Sequence, residues 1–232
     1  LARAVADRER SREQAYRQVW QGFRATTATA DGRHDTDDWR SRPGPFVVAM
    51  VRVPAACLQP ALDELRRDLD PYPFVRPHPD GFHHLTLQEL GFLVDRPTRP
   101  DEINLVRLEE FADAAASAIA TRPPLSLSFG GVNSFEDAVF LEVRDGGALD
   151  PLHARLLELA AIPRSPQFAY LPLVTVAHYT VDAPSHEVEA TLSRWRTVTF
   201  GRLQVTAIEI VTLRNDEAYP PLDVWAVLPL EG

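Results

Sequence analysis

The chain carries one structural frame twice. An apolar run, FVVAMVRV at 46–53, is followed by a helical stretch, a proline-rich loop and a strand-like segment containing His84 and Thr86. A second run, AVFLEV at 138–143, is followed in the same order by a helix opening at Asp150-Pro151, a proline-rich loop and a strand-like segment containing His178 and Thr180. Phe46 precedes His84 by 38 positions, and Val139 precedes His178 by 39. Residue identity between the two intervals is slight, so the repeat is one of structure rather than of sequence. It predicts two similar lobes facing each other, each contributing one His-x-Thr pair. Side chains two apart in a strand share a face, so each pair presents an imidazole beside a hydroxyl.

The remaining elements fit around this frame. Residues 1–25 read as a charged helix with Tyr16, Val19, Trp20 and Phe23 at helical spacing, a stripe expected to pack on the main domain. Residues 26–45 read as a small, acidic linker ending in Pro-Gly-Pro. The chain thus divides into an N-terminal helical extension and linker, 1–45, and a body, 46–232. Within the body, a helix is expected over 57–69, with Leu58, Leu62, Leu65 and Leu69 on one side. Another is expected over 101–120, with Pro100, Asp101 and Glu102 marking its start. Strands are expected at 125–129 and 138–143, a helix at 185–196, and two closing strands in LQVTAIEIVTLR and LDVWAVLPL.

Composition narrows the function classes. With 232 residues, 45% of them hydrophobic, the chain can bury a substantial core as one large domain or two lobes. No apolar run reaches the length of a membrane span, and no secretory signal is evident. The single cysteine, Cys57, excludes an internal disulfide and a cysteine-based zinc cluster, and a reducing, cytoplasmic setting is the default. All 24 basic residues are arginine, so no catalytic or Schiff-base lysine exists. A net charge of −9 argues against extended duplex binding, which draws its affinity from phosphate neutralisation. It is compatible with a small nucleotide, or one RNA end, in a local arginine-lined cleft.

The tetrapeptides HLTL (84–87) and HYTV (178–181) resemble the paired motifs of the two-histidine (2H) phosphoesterase superfamily, which includes 2′-5′ RNA ligase-like proteins and cyclic phosphodiesterases. Leu90-Gly91 follows the first motif as in that family. GGVNSFEDAVFLEV resembles its glycine–phenylalanine turn and following strand. VTLRNDEAYPPLDVWAVLPL resembles its closing hairpin, with Tyr219 at the aromatic position. The likeness covers roughly 46–232. Two features depart from it: His83 and Ala177 stand where proline often precedes each histidine, and Asp182-Ala183 stands where an arginine often follows the second motif.

The resemblance implies an α+β, bilobal fold of two antiparallel sheets with outer helices around a central groove. It implies a metal-independent phosphodiesterase with no cofactor, acting on a 2′,3′-cyclic phosphate of a nucleotide or RNA end. His84, Thr86, His178 and Thr180 would be catalytic, and Tyr219 a substrate contact. One histidine would activate water and the other protonate the leaving ribose oxygen, work suited to groups that titrate near neutral pH. The threonine hydroxyls would stabilise charge on the non-bridging oxygens. Cleavage or ligation of 2′-5′ or 3′-5′ linkages uses the same four residues, and an inactive nucleotide- or RNA-binding module is the reading from another class.

Other candidates read as structural. His83 should face away from His84. His78 sits in the proline-rich loop, from which it could reach a ligand, His153 and His186 lie at exposed helix starts, and His34 is in solvent. A zinc site would need a third ligand that the motif histidines lack. Arg76, Arg144, Arg164 and Arg214 remain undifferentiated as substrate contacts.

Overall fold

The computed structural model describes residues 2–33, 36–162 and 169–232; His34 and Arg164 lie outside the described residues. The body is α+β, built on two five-stranded sheets. The first contains β1 (Phe46–Arg52), β3 (His84–Leu93), β4 (Glu102–Ile103), β9 (Ala207–Leu213) and β10 (Asp223–Pro229), in the order β10-β9-β1-β3-β4. The second contains β2 (Val75–Pro77), β5 (Leu125–Ser134), β6 (Ala138–Arg144), β7 (Leu173–Tyr179) and β8 (Thr199–Val205), in the order β2-β7-β6-β5-β8.

Reading the second order backwards superimposes the two sheets: β10-β9-β1-β3-β4 against β8-β5-β6-β7-β2. Every pairing except β3–β4 is antiparallel. The predicted repeat therefore maps β1 onto β6 and β3 onto β7. The helices between them correspond too: α3 (Ala61–Leu69) in the first lobe and α5 (Leu149–Ala160) in the second. Leu62, Leu65 and Leu69 of α3, and Leu149, Leu152 and Leu156 of α5, are buried in one continuous core. The helices complete it because the strands bury alternate residues on that side.

The N-terminal helix α1 (Ala2–Ala25) docks on the second sheet through its predicted stripe. Tyr16 and Phe23 are buried, and Phe23 stacks on Tyr179 of β7 at 6.3 Å between centroids. Asn133 of β5 donates to the Tyr16 carbonyl at 2.9 Å, and Arg12 pairs with Asp145 and, at 2.7 Å, with Asp150. The following segment is docked at both ends. Ala28 bridges Pro184, and Gly32 N–H donates to the Tyr179 carbonyl. Thr36 then caps a short helix, α2 (Asp37–Arg40), whose Trp39 meets Phe46 and Phe92 at 5.0 Å each.

Several boundaries differ from the sequence expectation. The helix expected at 101–120 is α4 (Leu105–Ile119). Asn104 caps it by accepting from Arg107 N–H, while Glu102 binds the Thr98 and Arg99 amides and residues 102–103 join the sheet as β4. Gly91 permits that junction, because at its φ of +102° a Cβ would lie 2.4 Å from the Asp101 carbonyl oxygen. The helix expected from 57 starts at Ala61, after Pro60. The closing region holds three strands rather than two. The chain leaves the second sheet at Val205, passes Thr206, and enters the first as β9. A helix, α6 (His186–Arg194), precedes β8 as expected.

Candidate active site

β3 and β7, the two motif strands, approach each other where the sheets meet. On β3, His84 lies opposite Arg52 and Thr86 opposite Met50, in unbroken register over 84–86. His84 and Thr86 are half-buried while Leu85 and Leu87 enter the core, the alternation expected of a strand with one face on a cleft. On β7, His178 lies opposite Ala138 on one side and Arg76 of β2 on the other. Thr180, just past the strand, keeps the ladder going by donating its N–H to the Phe74 carbonyl at 2.9 Å.

The two histidines belong to one ring assembly. His84 meets Phe82 at 5.4 Å, Phe82 meets Tyr219 at 5.3 Å, and Tyr219 lies parallel to His178 at 6.4 Å. Beneath it, Val48, Met50, Phe82, Val211 and Leu222 form a small apolar cluster separate from the main core, with Tyr219 packed against it. Tyr219 is thus a wall of the site, and the guanidinium of Arg76 lies 5.0 Å from its ring. Arg52 ion-pairs with Glu209 at 2.7 Å and donates to the Leu222 carbonyl, tying the loop that carries Tyr219 to the sheet.

Hydrogen bonds fix the imidazoles. His84 Nδ1 lies 2.8 Å from the Phe82 carbonyl, which can only accept, so Nδ1 carries a proton. Neutral His84 then presents Nε2 as its basic nitrogen. His178 Nδ1 lies 3.2 Å from Nε2 of His78, another imidazole. His178 is 6% exposed and His78 3%. The hydroxyl of Thr180 donates to the Phe74 carbonyl at 3.3 Å, so it is committed to backbone here, whereas no such backbone bond holds the hydroxyl of Thr86 among the described residues.

Charge around the site is mixed. Asp31, in the segment docked beside β7, has its carboxyl held below the usual range, chiefly by a hydrogen bond from Arg33, with His178 adding a smaller electrostatic pull. His83, just before β3, is buried with its ring 6.4 Å from that of His78, and burial with the nearby Arg66 charge lowers its pKa to about 4. It is therefore neutral at physiological pH.

Two expectations need correction. His78 does not stand apart in its loop: β2, unforeseen within the proline-rich segment, carries it to His178. The available signal was Arg76-x-His78, an alternation like that of the motifs, masked by the prolines around it. His153 is not simply exposed. It stacks on Tyr170 at 4.0 Å and its Nδ1 lies 2.6 Å from the Leu87 carbonyl, while Tyr170 donates to the Thr86 carbonyl. This pair supplies partners to β3 where no strand pairs with it, since β4 covers only Phe92 and Leu93. His186 is exposed, as expected. Of the arginines, Arg76 borders the site. Arg144 lies at the exposed end of β6 near Glu142, and Arg214 pairs with Asp216 and Glu217 at the surface. Among the described residues no group of three or more His, Cys, Asp or Glu side chains converges as a metal site would require, and no helix is long and apolar enough to cross a membrane.

Comparison with known proteins places this geometry. The family model of the 2′-5′ RNA ligase superfamily matches residues 53–217. Among solved structures, TT0787 of Thermus thermophilus matches with a TM-score of 0.59 and 21% identity, over 81% of this chain and 98% of that one. LigT of E. coli complexed with 3′-AMP matches with a TM-score of 0.63 and 15% identity, over 82% of this chain and 100% of that one. The LigT complex with NADP+ matches with a TM-score of 0.56 and 16% identity, over the same shares. At these identities the likeness is one of fold. No curated protein matches the chain.

Proposed function

Because the chain belongs to the 2′-5′ RNA ligase superfamily, we propose that it is a metal-independent phosphodiesterase that hydrolyses a 2′,3′-cyclic phosphate on a nucleotide or RNA end, with His84 and His178 as its acid–base pair. The observation that carries this reading is the placement of His84 and His178 on equivalent strands, β3 and β7, each with its threonine two residues on (Thr180 just past β7), joined through Phe82 and Tyr219. The occurrence of 3′-AMP and NADP+ complexes of LigT agrees with a small-nucleotide ligand.

In this scheme a neutral imidazole removes a proton from water as the water oxygen bonds to phosphorus. The bond from phosphorus to one ribose oxygen breaks, and the second imidazole, protonated, gives its proton to that oxygen. The product is a 2′- or 3′-monophosphate, and one proton has passed from one histidine to the other by way of the reaction. Thr86 donates to a non-bridging oxygen. Thr180 must first release the Phe74 carbonyl to do the same. Arg76 offers a further cation, and Tyr219 an apolar wall for ribose or base.

The test is a panel of 2′,3′-cyclic nucleotides with short 2′-5′ and 3′-5′ oligonucleotides, assayed across pH with and without EDTA. Hydrolysis of the cyclic substrates, a rate maximum near neutral pH and indifference to EDTA are expected, since the histidine reference pKa is ~6.5. Substrate retained unchanged would identify a binding module. Turnover confined to oligonucleotides would reassign the substrate, and loss in EDTA with recovery on adding metal would defeat the metal-free scheme.

A further inference from the structure

The two lobes are alike in strand order but unlike in what holds their histidines. His84 Nδ1 rests on a peptide carbonyl, and His178 Nδ1 rests on a second imidazole. We propose that His78 is a positioning residue of this site: it accepts the Nδ1–H of His178, turns Nε2 of that ring toward the groove, and keeps His178 protonated as the acid, leaving His84 as the base. This rests on the phosphoesterase reading above.

His78 is built in rather than incidental. Its N–H extends the β2–β7 ladder to the Val176 carbonyl at 2.8 Å, and its carbonyl accepts from Arg66 at 2.7 Å. Its ring packs on Phe82 at 5.3 Å, on Tyr219 at 5.0 Å and beside His83 at 6.4 Å. The Nε2···Nδ1 contact of 3.2 Å to His178 admits one hydrogen. Were both atoms protonated, two N–H groups would point at each other and two cations would face across 4.6 Å between ring centroids. Double protonation of the pair is therefore disfavoured, and its titration belongs to both rings together.

The proton belongs on His178 during reaction for two reasons. An imidazole nitrogen is a more basic acceptor than a peptide carbonyl, so His178 as a cation gains more from its Nδ1 partner than His84 does. The substrate phosphate, anionic and in the groove, favours positive charge on the ring nearer to it. Among the described residues, the charged and titratable groups around the pair include Asp31 with its partner Arg33, Arg66, Arg76, Asp80, His83 and Tyr219. His83 stays neutral, and Arg66 is engaged by Asp80 at 2.7 Å.

Two variants separate positioning from bulk. His78→Phe keeps an aromatic ring and removes the acceptor; His78→Gln keeps an acceptor that does not titrate. The pH dependence of kcat and KM on a 2′,3′-cyclic nucleotide is measured for each. In parallel, imidazole nitrogen NMR follows titration of His78 and His178 in the protein alone. For His78→Phe the expected result is a kcat lower by about 10- to 100-fold with KM nearly unchanged, and an alkaline limb displaced downward by about one pH unit. His78→Gln should recover most of both. Wild-type spectra should show the His178 Nδ1 proton hydrogen-bonded, and two pair titrations separated by more than about one unit. An unmoved pH profile in His78→Phe, or independent titration of the two rings in the wild type, overturns the proposal. If His78→Phe fails to fold, the wild-type spectra decide the case: independent titration of the two rings, or a His178 Nδ1 proton that is not hydrogen-bonded, overturns the proposal. If the wild type turns over no cyclic nucleotide, the phosphoesterase reading fails while the spectra still decide whether the pair exists.

Discussion

Replacing Tyr16 by phenylalanine removes one oxygen atom and should cost about 2 kcal/mol. The hydroxyl accepts from Val143 N–H at 3.0 Å and donates to the Pro172 carbonyl at 2.5 Å. In the β6–β7 register Glu142 pairs with Leu173, so the next position along would set Val143 against Pro172, which has no N–H to give. Tyr16, arriving from α1, bridges the two strands there, its hydroxyl accepting from Val143 N–H and donating to the Pro172 carbonyl. Tyr16→Phe preserves the ring and its packing and leaves a buried N–H without an acceptor, which costs roughly 1–3 kcal/mol. For a chain of 232 residues that corresponds to a fall in Tm of roughly 4–8 °C. Burial pushes the phenol pKa up, so the hydroxyl stays protonated and the loss should be constant over roughly pH 5–9. Thermal unfolding by circular dichroism, repeated in urea, measures it. A variant melting within a degree of the wild type would show that α1 is an appendage rather than part of the second sheet's hydrogen bonding.

Other outcomes follow from the site. His84→Ala and His178→Ala should each lower turnover of a 2′,3′-cyclic nucleotide by at least about 100-fold with unchanged far-ultraviolet spectra; wild-type rates in either would sink the two-histidine scheme. Thr86→Val should cost more than Thr180→Val, up to about 100–1000-fold, because the Thr180 hydroxyl is spent on Phe74; the reverse order of single-turnover rates contradicts that assignment. His83 has a folded-state pKa lowered to about 4 against about 6.5 unfolded, so the unfolded chain binds the extra proton between those values. Its contribution, about 3 kcal/mol at most, is present above pH ~6.5 and lost as pH falls toward ~4. His83→Leu should flatten that part of a urea-denaturation series, and an unchanged slope would refute it. Mononucleotide binding should weaken only modestly with salt, given a net charge of −9 and a local site; a log–log slope matching about six phosphates would mean an extended RNA track.

The parts of the molecule legible in sequence were those written as periodic pattern. Apolar runs marked β1 and β6, the His-x-Thr alternation marked β3 and β7, and spacing of leucines marked α3. The repeated frame pointed to two lobes, which the mirrored strand orders now display. What pattern could not supply was pairing between distant segments. Three residues of β2 hide among prolines, because their strand character comes from lying against β7, not from propensity. The break at Thr206 was invisible because both flanking runs alternate alike, and only membership of different sheets separates them. The site shows the same division. His-x-Thr was readable from two-residue spacing, whereas the His78–His178 and His153–Tyr170 contacts join residues brought together by tertiary structure alone.

The mirrored sheets are not independent modules, because each borrows from the other half of the chain. β2 leaves the first half to edge the second sheet, and β9 and β10 leave the second half to complete the first. The C-terminal residues then return to the end of α4, where Glu231 and Gly232 donate to the Ala120 and Arg122 carbonyls. A backbone cut in the turn at 121–124 would leave neither fragment with a full set of strands. Such fragments are suited to complementation, regaining structure when mixed rather than folding alone. The same interlacing resists hinge-like parting of the lobes, since drawing them apart would strip β2 from β7 beside His178. Access to the site must then come from side chains and loops, with the sheets acting as one rigid frame.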